Sequence, residues 1–337
     1  MRKAPTILLA HGAGGYLSHE LISTLFLPFL ENEILASLDD SALLSISGAT
    51  IAFTTDSYVV KPLVFPGGDI GRLALCGTVN DLAMVGAIPL GIAASFILEE
   101  GFSFNELRRI LDSLRAAARE AGVEVVAGDT KVVERGAAEG LFITTSGIGL
   151  VPGGVNIRGS CAREGDLILI NGPMGDHEAG ILLARGAFSL KGTIKSDCAP
   201  LNHMVSNMLK ASKDIHVLRD PTRGGLATVL WEIAQSSQVG VEVEEEAILV
   251  RPEVRGVCEL LGFDPLYLAN EGKLVAVVPE GEAERVLEVM RADPLGKESV
   301  VIGRVVEGHP GRVHLRTAIG GHRILEPLSG EQFPRIC

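Results

Sequence analysis

The sequence predicts an α+β protein of two domains. Its 337 residues exceed what one ordinary core needs. Strand-like and helix-like stretches follow each other in mixed order in both halves, without the regular strand–helix–strand repeat of a doubly wound sheet. Near the midpoint Val151-Pro152-Gly153-Gly154 breaks the pattern, which places the domain boundary there.

Residues 1–36 carry the glycine-rich His11-Gly12-Ala13-Gly14-Gly15 and then a helix to about Asn32. A strand over Thr50–Thr55 ends on Asp56. Residues 70–85 read as a helix of small and apolar residues, closed by Gly86 as a left-handed cap. Residues 90–98 form a strand. Ser103 and Glu106 make a capping box for a helix with Leu107, Ile110, Leu111, Leu114 and Ala118 on one face, ended by Gly122. Residues 123–127 read as a short buried strand ending at Gly128-Asp129-Thr130, and 141–150 as another. The second half reads as strand 167–170, helices 177–185, 199–210, 225–235 and 252–261, and a half-exposed strand at 241–244. Strand 273–278, helix 280–291 and strand 300–306 complete it. The expected division is a segment 1–36, domains 37–153 and 154–328, and a tail 329–337.

Composition narrows the function. An apolar content of 47% excludes a disordered chain, and 40 glycines suit an enzyme with much backbone at its turns. The net charge of −12 argues against nucleic acid or an anionic membrane surface as partner. A nucleotide would need a metal cation and local basic groups to offset that field. The run Ile7-Leu8-Leu9-Ala10 is too short for a signal peptide, and no stretch is apolar enough to span a bilayer, so a cytoplasmic protein is expected. The five cysteines contain no C-x-x-C pair, which excludes the usual zinc spacings.

One of those cysteines is the last residue. Cys337, in Pro334-Arg335-Ile336-Cys337, follows a Ser-Gly break, and a terminal thiol alone reads as an accident of a frayed end. Four acidic positions give it a possible context: Asp56, Asp129 and Asp220 at the ends of apolar segments or turns, and Asp81 inside an apolar helix. Asp39-Asp40 precede another apolar stretch. Singly, such residues are ordinarily caps or turns. Asp81 in its apolar helix must be paired or bind a cation, and several converging carboxylates would hold Mg²⁺ together with phosphates. Lys131 beside Asp129 can meet a phosphate or move a proton, and Glu271 before a buried strand can act as a base; a surface lysine and a turn glutamate are the plainer readings. There is no G-x-S-x-G, P-loop or dinucleotide fingerprint. Gly67-Gly68-Asp69-Ile70-Gly71 enters a helix N-terminus whose N–H groups suit a phosphate.

Taken in order, these segments resemble the ATP-binding superfamily of aminoimidazole ribonucleotide synthetase and selenophosphate synthetase, and within it the HypE family of hydrogenase maturation. The resemblance rests on the glycine-rich segment, Thr55-Asp56-Ser57, Gly68-Asp69-Ile70-Gly71, Cys76 to Met84, Gly128-Asp129-Thr130-Lys131, Asp220 to Gly225, Asn270-Glu271-Gly272 and the terminal P-R-x-C. It implies ATP in a cleft between two α+β domains, with the N-terminal domains pairing in a homodimer. It implies ATP contacts at Gly14, Gly15, Asp69, Asn80, Thr130 and Arg223, and Mg²⁺ on Asp40 (or Asp39), Asp56, Asp81 and Asp220, with Asp129 as a fifth participant. Cys337 would carry a carbamoyl group delivered by HypF. Glu271 and Lys131 would serve its ATP-dependent dehydration to an S-cyanate, and the HypC–HypD complex would accept the cyano group. The alternatives are a kinase or synthetase for a free small molecule, or a non-enzymatic scaffold whose tail docks a partner.

Overall fold

The computed structural model describes residues 6–30, 32–186, 194–328 and 336–337. The N-terminal segment holds α1 (Tyr16–Leu21) and α2 (Leu27–Leu30), joined by a π turn at Ile22–Phe26. The first domain follows as β1 (Ala42–Ile46), β2 (Ala49–Tyr58), the short pair β3 (Val64–Phe65) and β4 (Gly68–Asp69), α3 (Ile70–Met84), β5 (Ile88–Glu99), α4 (Phe104–Ala121), β6 (Val125–Val133) and β7 (Leu141–Val151). Its sheet runs β1-β2-β7-β5-β6, antiparallel except for β5 with β6. One face is covered by α3 and α4. On the other, Phe53, Ile97, Ile148 and Leu150 stay exposed in this single chain.

The second domain contains β8 (Leu167–Ile170), α5 (Asp176–Ala184), α6 (Asn202–Ala211), β9 (Val217–Arg219), α7 (Gly225–Ser237), β10 (Gly240–Glu244), α8 (Pro252–Leu261), β11 (Val275–Val278), α9 (Glu280–Ala292), β12 (Val300–Val306), β13 (Arg312–Arg316) and β14 (His322–Leu325). Its sheet runs β14-β13-β10-β12-β8-β11-β9. Successive strand residues point to opposite faces. Ile168, Ile170, Val275 and Val277 meet α7 on one side, while Leu169, Leu274 and Ala276 meet α6 and α9 on the other. Burial on both faces explains why these strands are unbroken apolar runs rather than alternating ones.

Three sequence expectations are corrected. The strand expected at 123–127 is not buried; β6 is an exposed edge strand that continues through Asp129 and Lys131. Asp56 likewise lies inside β2, which continues to Tyr58. Ser103 is the N-cap of α4 but its side chain makes no capping bond, so the expected capping box does not form.

The two domains are joined through α3. Asn80, fully buried, donates from Nδ2 to the carbonyls of Ala199 and Glu271 (3.1 and 3.3 Å) and accepts from the Leu201 N–H at 2.8 Å. Arg72 Nε donates to the Cys198 carbonyl at 2.9 Å, and the Cys198 thiol is raised well above its ordinary value by the neighbouring Cys76 and by burial. The strands of the first domain and the Asp220–Glu271 side of the second therefore hold a fixed relation across one helix.

Candidate active site

Four carboxylates from four separate segments collect where β2, α3 and the second domain meet. Asp56 points to the α3 side of β2, where Tyr58 and Thr78 donate to its Oδ2 at 3.2 and 3.4 Å. Tyr58 gets there because residue 77 of α3 is glycine: a Cβ at Gly77 would lie 2.1 Å from the Tyr58 hydroxyl. Asp81, one turn along the same helix, accepts from Thr54 Oγ1 at 2.7 Å. Asp40 precedes β1 and is held by Arg219 at 2.6 Å. Asp220 follows β9, next to that arginine, and is buried.

Their electrostatics show that they share one field. Burial raises the Asp81 carboxyl well above its ordinary range, and repulsion from Asp56, Asp220 and Asp40 raises it further. Asp220 is raised likewise by burial, then by Asp40 and Asp56. Asp40 is raised by burial despite Arg219. Of the two N-terminal candidates, Asp40 is thus the one felt by the cluster; Asp39 turns away to accept the Gly159 N–H at 2.8 Å. Arg219, a residue the sequence reading passed over, anchors both. Its adjacency to Asp220 at a strand end was the available signal.

Glu271 faces the same region. Burial raises its carboxyl well above the ordinary value, with Asp220, Asp197 and Asp56 adding repulsion and Arg223 opposing it. Its backbone is fixed on both sides: the N–H donates to Asp197 Oδ1 at 3.1 Å, and the carbonyl accepts from Ala199 N and Asn80. Asp197 is itself paired with Lys273 at 3.1 Å. A group with a raised pKa is a strong base once deprotonated.

The terminal cysteine lies inside this arrangement. Val59 N–H donates to the Cys337 carboxylate at 3.2 Å, the Ile336 carbonyl meets His177 Nε2 at 2.7 Å, and the Ile336 side chain is buried in the first domain's core. The thiol is pushed up to about 12 by burial, against the positive charge of Arg223 and with Glu271, Asp56 and Glu178 as negative neighbours. Cys337 is in turn the largest electrostatic influence on Arg223. Residues 329–335, including most of the expected tail, lie outside the described residues.

The glycine-rich segment closes one side of a cleft of about 330 Å³ that also contains Asp40, Asp220, Arg223 and Trp231. Gly14 has φ +76, and a Cβ there would stand 2.6 Å from the Arg223 carbonyl. Gly15 packs on Leu328 as closely, and Arg223 donates to the Gly12 carbonyl at 3.0 Å. A larger cavity of about 510 Å³, behind the Asp197–Lys273 pair, is lined by Gly272 but by none of the expected catalytic, ATP or metal residues.

Other expected residues stand apart. Asp69 caps α3, accepting from Gly71 and Arg72 N–H at 2.8 and 3.0 Å, and Asn80 has its amide engaged in the domain junction. Asp129, Thr130 and Lys131 lie exposed on edge strand β6, where Lys131 binds Asp129 at 2.7 Å and, with the Thr130 N–H, holds that carboxyl below its ordinary value. Asp56 is level with Thr145, Ala94 and Gly128 across β7, β5 and β6, so three strand spacings, roughly 14 Å, separate β2 from β6. Within one chain, Asp129 and Lys131 do not join the cluster.

Residues 38–151 match the N-terminal domain, and residues 163–316 the C-terminal domain, of AIR synthase related protein. The carbamoyl dehydratase HypE of Rhodobacter capsulatus is 52% identical over 336 residues, covering 98% of both chains. This chain belongs to the HypE family. Among solved structures, a HypE–HypF complex superposes with a TM-score of 0.87 at 46% identity, covering 91% of this chain and 99% of the other. A HypE structure in complex with ATP gives 0.83 at 50% identity, covering 98% and 100%. The HypE-family fold thus spans both domains described above. No helix among the described residues is long and apolar enough to cross a membrane.

Proposed function

We propose that this protein is an ATP-dependent carbamoyl dehydratase that acts on its own terminal cysteine, supplying cyanide ligands for the iron of [NiFe] hydrogenase. One observation carries the reading: the chain's own Cys337 sits among Arg223, Glu271 and Asp56. A kinase for a free small molecule has no use for that placement. The carbamoyl group is delivered to the Cys337 sulfur by the carbamoyltransferase HypF, and the product passes to the HypC–HypD complex.

The chemistry follows from the groups present. The S-carboxamide oxygen is a poor leaving group until it attacks the γ-phosphorus of ATP, releasing ADP. Loss of the N–H proton to a base, with cleavage of the C–O bond, then expels phosphate and leaves R–S–C≡N. The oxygen thus leaves on phosphate, and the two amide protons are lost to base. Glu271, deprotonated, is the base; its raised pKa gives it proton affinity suited to the task. Arg223 offsets negative charge beside the sulfur.

Asp40, Asp56, Asp81 and Asp220 fit Mg²⁺, since hard cations take oxygen donors and Arg219, the cation that offsets Asp40 and Asp220, leaves the carboxyls of Asp81 and Asp220 raised by their mutual repulsion. Among the described residues no group of three or more such side chains could hold a metal ion by itself, so phosphate oxygens and water would have to supply ligands beside one or two of these carboxylates. A Mg²⁺ ion held by these carboxylates would supply charge neutralisation for the nucleotide phosphates.

Two copies would pair through the exposed apolar face of the first sheet, where Phe53 and Ile148 sit opposite each other across β2 and β7. Lys131 shares that face, beside Ile97. Pairing would carry the partner subunit's Lys131 and Asp129 toward a cleft that the chain's own pair does not reach.

Intact-mass spectrometry tests the reading. After incubation with HypF, carbamoyl phosphate and ATP, the chain should gain a carbamoyl group on Cys337 and then lose one water. If Cys337→Ala still gains the adduct, or the adduct persists with ATP present, the reading is wrong.

A further inference from the structure

His177 takes no part in the steps above, yet it is completely buried and both of its ring nitrogens are bonded. Nδ1 lies 2.7 Å from Ser196 Oγ, and Nε2 lies 2.7 Å from the Ile336 carbonyl. The direction of the bonds can be assigned. Ser196 Oγ already accepts the Cys198 N–H at 3.1 Å, so its own proton is free to go to Nδ1. The Ile336 carbonyl can only accept, so Nε2 carries the hydrogen. Burial lowers the imidazole pKa, which keeps the ring neutral with one proton, placed by Ser196 on the side facing the tail. The ring is held from a third side by Phe65, edge-on at 5.6 Å, and Ser196 is pinned by its own N–H to the Pro66 carbonyl at 2.8 Å.

We infer that His177, oriented by Ser196, is the positioning residue that seats the tail, gripping the peptide bond before Cys337 so that the modified sulfur is presented to Glu271 and Arg223. This rests on the dehydratase reading but concerns a separate step, the occupancy of the seat. The grip is on main chain, so it is indifferent to the residue at 336. Together with Val59 N–H on the terminal carboxylate it fixes the last residue from both sides. Removing the donor leaves a carbonyl without its partner, which shifts a seated–unseated equilibrium about tenfold.

The test uses the full-length protein. Alkylation of unmodified Cys337 by iodoacetamide reads seating, and ATP-dependent water loss from the carbamoylated chain reads chemistry. His177→Phe should be alkylated about tenfold faster and lose water slower by a similar factor, with ATP affinity unchanged. His177→Gln, whose amide retains a donor, should recover most of both rates. Ser196→Ala frees the tautomer, should shift both rates in the same direction by less, and carries the comparison if His177→Phe does not fold. Equal alkylation of parent, His177→Phe and Ser196→Ala, or a His177→Gln chain no better than His177→Phe, overturns the proposal. Water loss missing from the parent while alkylation still follows residue 177 would instead remove the dehydratase reading alone.

Discussion

Glu178, next to His177 in the first turn of α5, offers a quantitative check of the electrostatics around the tail seat. Its carboxyl is almost wholly buried, accepts the Ala269 N–H at 2.8 Å and is pushed up to about 7 by burial. In the unfolded chain it returns to 4.5. The folded state therefore holds a proton that the unfolded state releases, and stability must fall as pH rises between those values. The shift of two to three pKa units corresponds to about 3 kcal/mol, fully present below the unfolded value and lost once pH passes the folded one. Glu178→Gln keeps the volume and an acceptor for Ala269 but cannot ionise. The stability of the variant relative to the parent should rise by about 2.5 kcal/mol between about pH 5 and about pH 8, because part of the shift lies below pH 5. Urea unfolding at both pH values, followed at the transition of the second domain, reads this difference directly. A gap between variant and parent that does not change with pH, or narrows as pH rises, would refute the assignment of a buried, proton-holding carboxyl.

Three further outcomes follow from the cluster and the sheet edge. Asp81→Asn removes one of four repelling carboxylates; it should accept the carbamoyl group normally yet slow water loss about a hundredfold or more, checked by mass spectrometry with and without ATP. The same variant should be more stable than the parent at neutral pH without ligands, and less stable relative to it once Mg²⁺ and ATP are added. Mixing inactive Lys131→Ala with inactive Glu271→Gln should restore about a quarter of parental activity, since half the dimers are mixed and each has one complete site. Mixtures that stay inactive after subunit exchange would mean that Lys131 does not serve the partner's cleft.

Much of this was legible in the chain. Helix α8 and strands β8 and β12 lie where proline placement and apolar runs put them, and α3 ends at the expected Gly86 turn. Asp81 was conspicuous for a physical reason, a charge on an apolar helix, and it does face the other carboxylates. The sequence was misleading where local pattern and tertiary place diverge. Residues 123–127 are apolar enough to look buried, but from Val125 onward they form an exposed edge strand. Asp69 and Asn80, expected as ATP contacts, also have structural roles that local pattern did not show, a helix cap and a domain junction. Arg219 and His177 find their partners 179 and 159 residues away, so local pattern could not pair them, although Arg219 adjoins Asp220.

The placement of Cys337 imposes a condition on any complete cycle. Seated, the thiol is raised to about 12, so at neutral pH about one molecule in 10⁵ is thiolate. A thiol attacks as its thiolate, and that scarcity disfavours carbamoylation in the seated position by roughly three orders of magnitude relative to an ordinary cysteine. The same burial suits the second half of the reaction, because a carbamoylated sulfur has no proton to lose, and excluding water protects the phosphorylated intermediate from hydrolysis. Loading and dehydration thus ask for opposite surroundings, and a single fixed position of the tail serves only one of them. Among the described residues, 336 and 337 are held by one histidine, one backbone N–H, the charge of Arg223 and the burial of Ile336. On the proposed function, the tail would have to leave that seat to be loaded and return to it for dehydration.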